Sequence, residues 1–244
     1  MIISHRGRNT NFAENTILSF DNALSLGAEA IECDLRLTLD NQSIVYHDNN
    51  IILPNKKISI SQTLYKDIIA IGHENLYDIV SLDQLFEYIE TKKIPFFLEV
   101  KSSSKVLVGN IIKKIAEKNL WEQVYIIGFS FFIGTVVRLQ SKYPRLRVIQ
   151  LINIPFYSYL RKPAKSYGVF LGWFDEFFGS GWLFRTLIRV NRLTRLREFY
   201  EKNGFKVMAG VINRESGFKY FEQAGIVDVV TDNIANAVNY FKHK

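Results

Sequence analysis

Residues 2–37 read IISHRGRNTNFAENTILSFDNALSLGAEAIECDLRL. Apolar Ile2-Ile3 running into polar Ser4-His5 reads as a short strand. From Asn15 to Leu26 the apolar residues Ile17, Phe20 and Leu24 recur on one helical face; Asn15 is a candidate N-cap and Gly27 a stop. Ala30–Leu35 is the next strand, with Ile31, Cys33 and Leu35 alternating with Glu32 and Asp34. Strand, helix and strand joined by short connections make a βα unit whose strands run parallel.

The alternation continues along the chain. Ser43–His47 forms a second limb after a turn at Asp40-Asn41, where Asn tolerates positive φ. Ser81-Leu82-Asp83-Gln84 is a capping box opening a helix. Further strands are expected at Pro95–Lys101, Val124–Ser130, Leu146–Ile152, near Gly168–Leu171, at Lys206–Ile212 and at Val227–Thr231. Helices are expected at Val106–Ala116, Ile133–Tyr143, around Leu193–Tyr200, around Phe218–Ala224 and at the end of the chain, with Ile234, Val238 and Phe241 inward. About eight βα units in 244 residues predict an α/β fold, a (β/α)8 TIM barrel in a single domain over residues 1–244, with the active site at the C-terminal ends of the strands. An open, doubly wound sheet is the alternative.

The single cysteine, Cys33, allows no internal disulfide and suits a reducing compartment. Met1-Ile2-Ile3 runs directly into polar residues, without the basic start and apolar stretch of a signal peptide, and no apolar run reaches the ~18 residues of a membrane span. A cytoplasmic protein is therefore expected. The net charge of +7 is concentrated: between Pro155 and Arg197, eight basic residues stand against two acidic ones. This stretch also carries Phe156, Tyr157, Tyr159, Phe170, Trp173, Phe174, Phe177, Phe178 and Trp182. Aromatics here either pack over the barrel or present an apolar surface beside a basic one. The second case would place the protein peripherally on the inner face of an anionic membrane through residues 155–190. No recognised nucleic-acid motif accompanies the stretch, so no nucleic-acid partner is expected.

Polar residues with chemical potential sit at strand ends. Glu32 and Asp34, two apart on one strand, share a face, as do Glu99 and Lys101. Three inward carboxylates would repel one another unless a cation lies between them, and a hard divalent ion taking oxygen ligands, Mg²⁺ or Ca²⁺, fits best. No Cys/His cluster with zinc spacing is present. His5 and His47 near such an ion, with Arg6 and Lys101 beside them, suit an anionic phosphate ester.

These residues fall in a recognisable order: His5-Arg6-Gly7, Glu14-Asn15-Thr16, Glu32-Cys33-Asp34, Thr38-Leu39-Asp40, His47-Asp48, then Leu98-Glu99-Val100-Lys101, Gly128-Phe129-Ser130 and Val229-Val230-Thr231-Asp232-Asn233. The pattern resembles that of the glycerophosphodiester phosphodiesterase family, densely in the first fifth of the chain and sparsely to Asn233. The resemblance implies that His5 and His47 are the general acid and base. It implies that Glu32, Asp34 and Glu99 hold the metal, Arg6 contacts the phosphate, and Lys101 supports phosphate or metal charge. Glu14 and Asn15 would brace the His5 loop or line the substrate pocket. Two positions depart from the family. Ala13 replaces a proline, and Gly210 stands where a tryptophan is usual, which removes an aromatic wall and predicts a wider pocket.

The implied reaction is metal-dependent hydrolysis of a glycerophosphodiester, a small-molecule substrate, to glycerol 3-phosphate and an alcohol. One alternative is lysophospholipase D-like action on lysophospholipids at a membrane surface. Another is a non-catalytic barrel that binds lipid or phosphate, against which the complete His/Glu/Asp set speaks.

Overall fold

A computed structural model of the chain describes residues 1–8, 12–54, 56–75, 78–152, 167–175 and 177–242. Eight strands close a parallel barrel: β1 (Ile2–His5), β2 (Ala30–Leu37), β7 (Phe96–Val100), β8 (Val124–Phe129), β9 (Arg147–Ile152), β10 (Gly168–Leu171), β11 (Lys206–Ala209) and β12 (Val229–Thr231). Closure comes from β1, which pairs in parallel with β12 on one side and β2 on the other. The predicted closed barrel is the observed fold, and the open sheet is excluded.

Alternation along each strand divides the core. Ile3, Ala30, Phe97, Ile127, Ile149 and Met208 fill the barrel. Ile31, Cys33, Leu35, Leu98 and Val100 point outward and pack under the helices. Cys33 is a buried free thiol, an apolar filler between strand and helix.

The first helix, α1 (Ile17–Ser25), begins later than the sequence suggests. Its N-cap is Thr16, whose hydroxyl accepts from Ser19 N, while the Ser19 hydroxyl closes the reciprocal bond of a capping box. Asn15 takes no capping role and has a φ of 61°. The expected capping box of Ser81 and Gln84 is present at helix α3 (Leu82–Thr91).

Between β2 and α3 the chain makes an excursion of which only the limb after the Asp40-Asn41 turn was expected. Strand β3 (Ser43–Val45) pairs antiparallel with β2 and with β6 (Val80–Ser81). A hairpin of β4 (Asn50–Leu53) and β5 (Lys56–Ser59) and helix α2 (Tyr65–Glu74) follow β3, with a small core of Ile44, Ile51, Ile58, Ile60 and Ile68. His73 lies in the last turn of α2.

The remaining helices are α4 (Lys105–Glu117), α5 (Ser130–Leu139), α6 (Ser180–Leu187), α7 (Val190–Lys202), α8 (Glu215–Gln223) and α9 (Ile234–Lys242). Among the described residues, no helix is long and apolar enough to cross a membrane.

The aromatic segment divides in two. Trp173, 3% exposed, stacks on Phe221, contacts Phe184 and Tyr220, and donates its indole N–H to Asp175 at 2.7 Å. Phe177, Phe178 and Trp182 instead face solvent. Phe156, Tyr157, Tyr159, Arg161, Lys162 and Lys165 lie outside the described residues.

Candidate active site

Strand register assembles the acidic cluster. Glu32 and Asp34 share the inner face of β2, and β7 sets Glu99 beside Asp34. The three carboxylates offer oxygens within 4.8 Å of one another, and all three side chains are buried. So much negative charge away from water requires compensation. Arg6 Nε lies 3.0 Å from Asp34 Oδ2, and Lys101 Nζ lies 3.0 Å from Asp34 Oδ1 and 2.8 Å from Glu99 Oε1. Asn15 completes the environment of Asp34, its Nδ2 donating to Oδ2 at 3.0 Å and its Oδ1 accepting from the Asp34 amide at 3.2 Å.

Compensation is uneven. Burial would raise the Asp34 carboxyl, but Lys101, Arg6 and the Asn15 bond outweigh it and hold the group below the ordinary carboxylate range. Burial and the adjacent Asp34 and Glu99 charges push Glu32 well above its ordinary value. Burial also raises Glu99, against the partial opposition of Lys101. Among the described residues neither Glu32 oxygen accepts a hydrogen bond. Its nearest ionic neighbour there is His5 Nε2, 3.9 Å from Oε2. A buried carboxylate without a donor among the described residues, facing two further carboxylates, is a set of oxygens that could hold a hard divalent cation.

The loop after β1 reaches this cluster through an uncommon backbone. Arg6 and Asn15 have φ of 58° and 61°; a non-glycine residue in this region costs on the order of 1–2 kcal/mol. Offsetting bonds run from Arg6 N to Glu32 O and from Asn15 N to Arg6 O, both at 2.8 Å. Gly7, at φ 66°, leaves no room for a side chain: a Cβ there would sit 2.4 Å from Ser19 Oγ and 2.8 Å from the Ser19 carbonyl carbon. Glu14 contacts Arg6 Nη1 at 3.3 Å and Arg8 Nε at 3.5 Å.

His5 is buried, with Nδ1 2.7 Å from Asp232 Oδ1. Asn213 fixes that carboxylate, donating from Nδ2 to Asp232 Oδ2 at 2.7 Å and accepting the Asp232 amide at 2.8 Å. Burial would raise the Asp232 carboxyl, but the His5 and Asn213 bonds hold it low. No role was expected of Asp232 or Asn213: Asp232 directly follows β12 in a segment that carries the family resemblance, whereas Asn213 follows β11 in the stretch that departs from it. His47 is half-buried; its Nδ1 is 2.8 Å from Asp48 Oδ1, and its carbonyl accepts from Arg36 Nε at 2.7 Å. Burial lowers the His47 imidazole, with Arg6 and Lys101 adding to the effect and Asp34 opposing it. The nine residues singled out in the sequence thus fall on the same end of the barrel: eight of them, His5, Arg6, Glu14, Asn15, Glu32, Asp34, Glu99 and Lys101, in one cluster of neighbouring side chains, and His47 at its solvent side within reach of the Asp34 field.

A cavity of about 30 Å³ adjoins His5, Glu32 and Glu99 and is walled by Phe170, Phe174 and Gly210. At Gly210 an added Cβ would meet Val230 at 3.3 Å, and Phe174 supplies an aromatic wall of the cavity.

The Glycerophosphoryl diester phosphodiesterase family matches residues 5–236 of the chain. A glycerophosphodiester phosphodiesterase of Caldanaerobacter subterraneus subsp. tengcongensis is 27% identical over 252 residues, covering 98% of this chain and 96% of that protein. Among solved structures, a glycerophosphodiester phosphodiesterase from Parabacteroides distasonis superposes with a TM-score of 0.75 at 19% identity, covering 97% of this chain and 94% of the other. An Oleispira antarctica phosphodiesterase in complex with the product sn-glycerol-3-phosphate superposes with a TM-score of 0.71 at 19% identity, covering 98% and 96%. With its family match running from His5, at the end of β1, into the first turn of the last helix, the chain belongs to the glycerophosphoryl diester phosphodiesterase family.

Proposed function

We propose that this site hydrolyses glycerophosphodiesters to glycerol 3-phosphate and an alcohol, with Glu32, Asp34 and Glu99 holding one divalent cation. The observation that carries the reading is Glu32: a buried carboxylate with no hydrogen-bond donor among the described residues, set beside two more. The product-bound Oleispira antarctica phosphodiesterase shares the fold and supports glycerol 3-phosphate as product. The oxygen-only donor set favours Mg²⁺ or Ca²⁺. Such an ion, when bound, polarises the phosphoryl group and offsets its developing charge.

The chain's own residues supply the rest. Arg6 and Lys101 bring positive charge to the phosphate side of the cluster. Asp232 accepts the Nδ1 proton of His5, leaving Nε2 as the lone-pair nitrogen on the Glu32 side. His5 is thereby set to take the proton of the attacking oxygen, from water or from the neighbouring glycerol hydroxyl. His47, on the solvent side, gives a proton to the departing alkoxide as the P–O bond to the alcohol breaks. With an attacking hydroxyl the first product is a cyclic phosphate, which water then opens.

Release of glycerol 3-phosphate from glycerophosphocholine tests the reading. Activity should vanish after dialysis against EDTA and return with Mg²⁺ or Ca²⁺. Undiminished turnover in metal-free buffer would sink the metal role.

A further inference from the structure

Phosphodiester chemistry uses the polar half of the barrel mouth and leaves its aromatic half without a task. Phe174, which walls the catalytic cavity, contacts Phe129 at 6.4 Å and Phe177 at 6.1 Å between ring centroids, and Phe129 stacks on Phe131 at 5.8 Å. The outer rings stand in water: Phe131 is 70% exposed and Phe177 64%. Phe178 is fully exposed, and helix α6 adds Trp182, Leu183 and Leu187 on its open side. All of these follow the ends of β8 and β10, so they emerge at the end of the barrel that carries the carboxylates. Single exposed apolar residues are ordinary. A run of rings leading from open water to the catalytic cavity marks a surface that meets something apolar.

Charge identifies the partner. Helix α6 passes directly into α7, where Arg189 is the N-cap residue and Arg192 and Arg195 follow in the first two turns, all three exposed. None of them forms an ion pair among the described residues, and no Asp or Glu occurs from Gly179 to Arg197. An apolar surface bordered in the chain by exposed arginines matches a partner that is anionic at its surface and apolar just beneath, as an anionic phospholipid layer is. A second copy of the chain meeting the same patch about a twofold axis would bring arginines towards arginines.

We infer that this face docks on an anionic phospholipid surface. The exposed rings enter the headgroup region, the arginines meet lipid phosphates, and the catalytic mouth turns towards the layer. The inference rests on exposure and charge and does not depend on which diester is hydrolysed.

Flotation with phosphatidylcholine vesicles, with and without phosphatidylserine, tests it. The protein should float with the phosphatidylserine-containing vesicles at low salt and progressively less as salt rises. Phe178→Ser combined with Trp182→Ser should lower partitioning at least ~10-fold while leaving glycerophosphocholine turnover unchanged. Arg189→Gln and Arg192→Gln should each lower it about fivefold, which keeps the inference testable if the aromatic variant misfolds. Wild-type protein remaining in the aqueous fraction at low salt would overturn it. So would a dimer in sedimentation that the Phe178/Trp182 variant dissociates, because the patch would then be an interface between copies. Failure to turn over glycerophosphocholine would count against the proposed chemistry and leave the flotation result standing.

Discussion

Asp232 Oδ1 lies 2.7 Å from His5 Nδ1, across 227 residues of sequence. The bond joins the first barrel strand to the last and sets the tautomer of the proposed base. Asp232→Asn keeps the shape but can present an amide N–H in place of the acceptor, which favours the wrong tautomer. A loss of ~10²-fold in kcat with little change in KM is expected, in the range of outer-shell partners. Asn213→Ala, which frees the Asp232 carboxylate without removing it, should cost less. A matched rise in KM with unchanged kcat would show that Asp232 serves binding instead.

Glu32 makes metal uptake depend on pH. Its carboxyl is raised by burial and by Asp34 and Glu99, so the metal-free protein retains a proton there above the ordinary carboxylate range. The ion needs the deprotonated form, so affinity should fall as pH drops and binding should release protons. Calorimetry in two buffers of different ionisation enthalpy reads that release directly; equal heats would contradict it. The same shift bears on stability. A folded-state carboxyl raised above its unfolded value stabilises the fold at low pH, and the contribution is lost as pH rises from the unfolded value through the folded one. Glu32→Gln should therefore abolish metal binding yet raise the melting temperature of the metal-free protein at neutral pH by roughly 2–4 °C.

Lys101 bridges Asp34 and Glu99 at 3.0 and 2.8 Å. Lys101→Met would strand both carboxylates, and removing one partner of a buried pair typically costs about 3–5 kcal/mol. The metal-free variant should melt well below wild type. A bound divalent cation should narrow the gap, since it supplies the missing charge at the same oxygens. If saturating metal leaves the gap unchanged, the cation is not sharing those ligands.

Much of this site was legible because strand periodicity is a local property. Glu32, Asp34, Glu99 and Lys101 obey a two-residue alternation, and their shared inner face followed from it. The Asp40-Asn41 turn was legible for the same reason, and Asn41 has the expected positive φ. Asp232 was not, because its meaning depends on barrel closure, and no spacing within the chain relates it to His5. Asn15 looked like a cap because capping and site residues are drawn from the same polar types, and Thr16 one position on meets the same criteria. The β4–β5 hairpin escaped because its strands are four residues long and only half-buried; Pro54-Asn55 between Leu53 and Lys56 was its available signal. Trp173 could not be told from Trp182, since composition marks a segment as aromatic without saying which side of it faces the core.

Ser19 meets two neighbours with separable duties, which gives a final test. On one side it completes the α1 capping box with Thr16; on the other it abuts Gly7, behind the loop that carries His5 and Arg6. Thr16→Ala should remove the cap and cost about 1 kcal/mol of stability, with kcat retained, because the helix start moves little within a packed barrel. Gly7→Ala faces both a φ of 66° and a Cβ 2.8 Å from backbone at Ser19. The chain must shift to admit the methyl group, and Arg6, bonded to Asp34, shifts with it. Gly7→Ala should therefore lower kcat by more than its melting temperature predicts, whereas Thr16→Ala should lose stability alone. Melting curves beside glycerol 3-phosphate release separate the two, and parallel losses in both variants would show that the loop acts only through global stability.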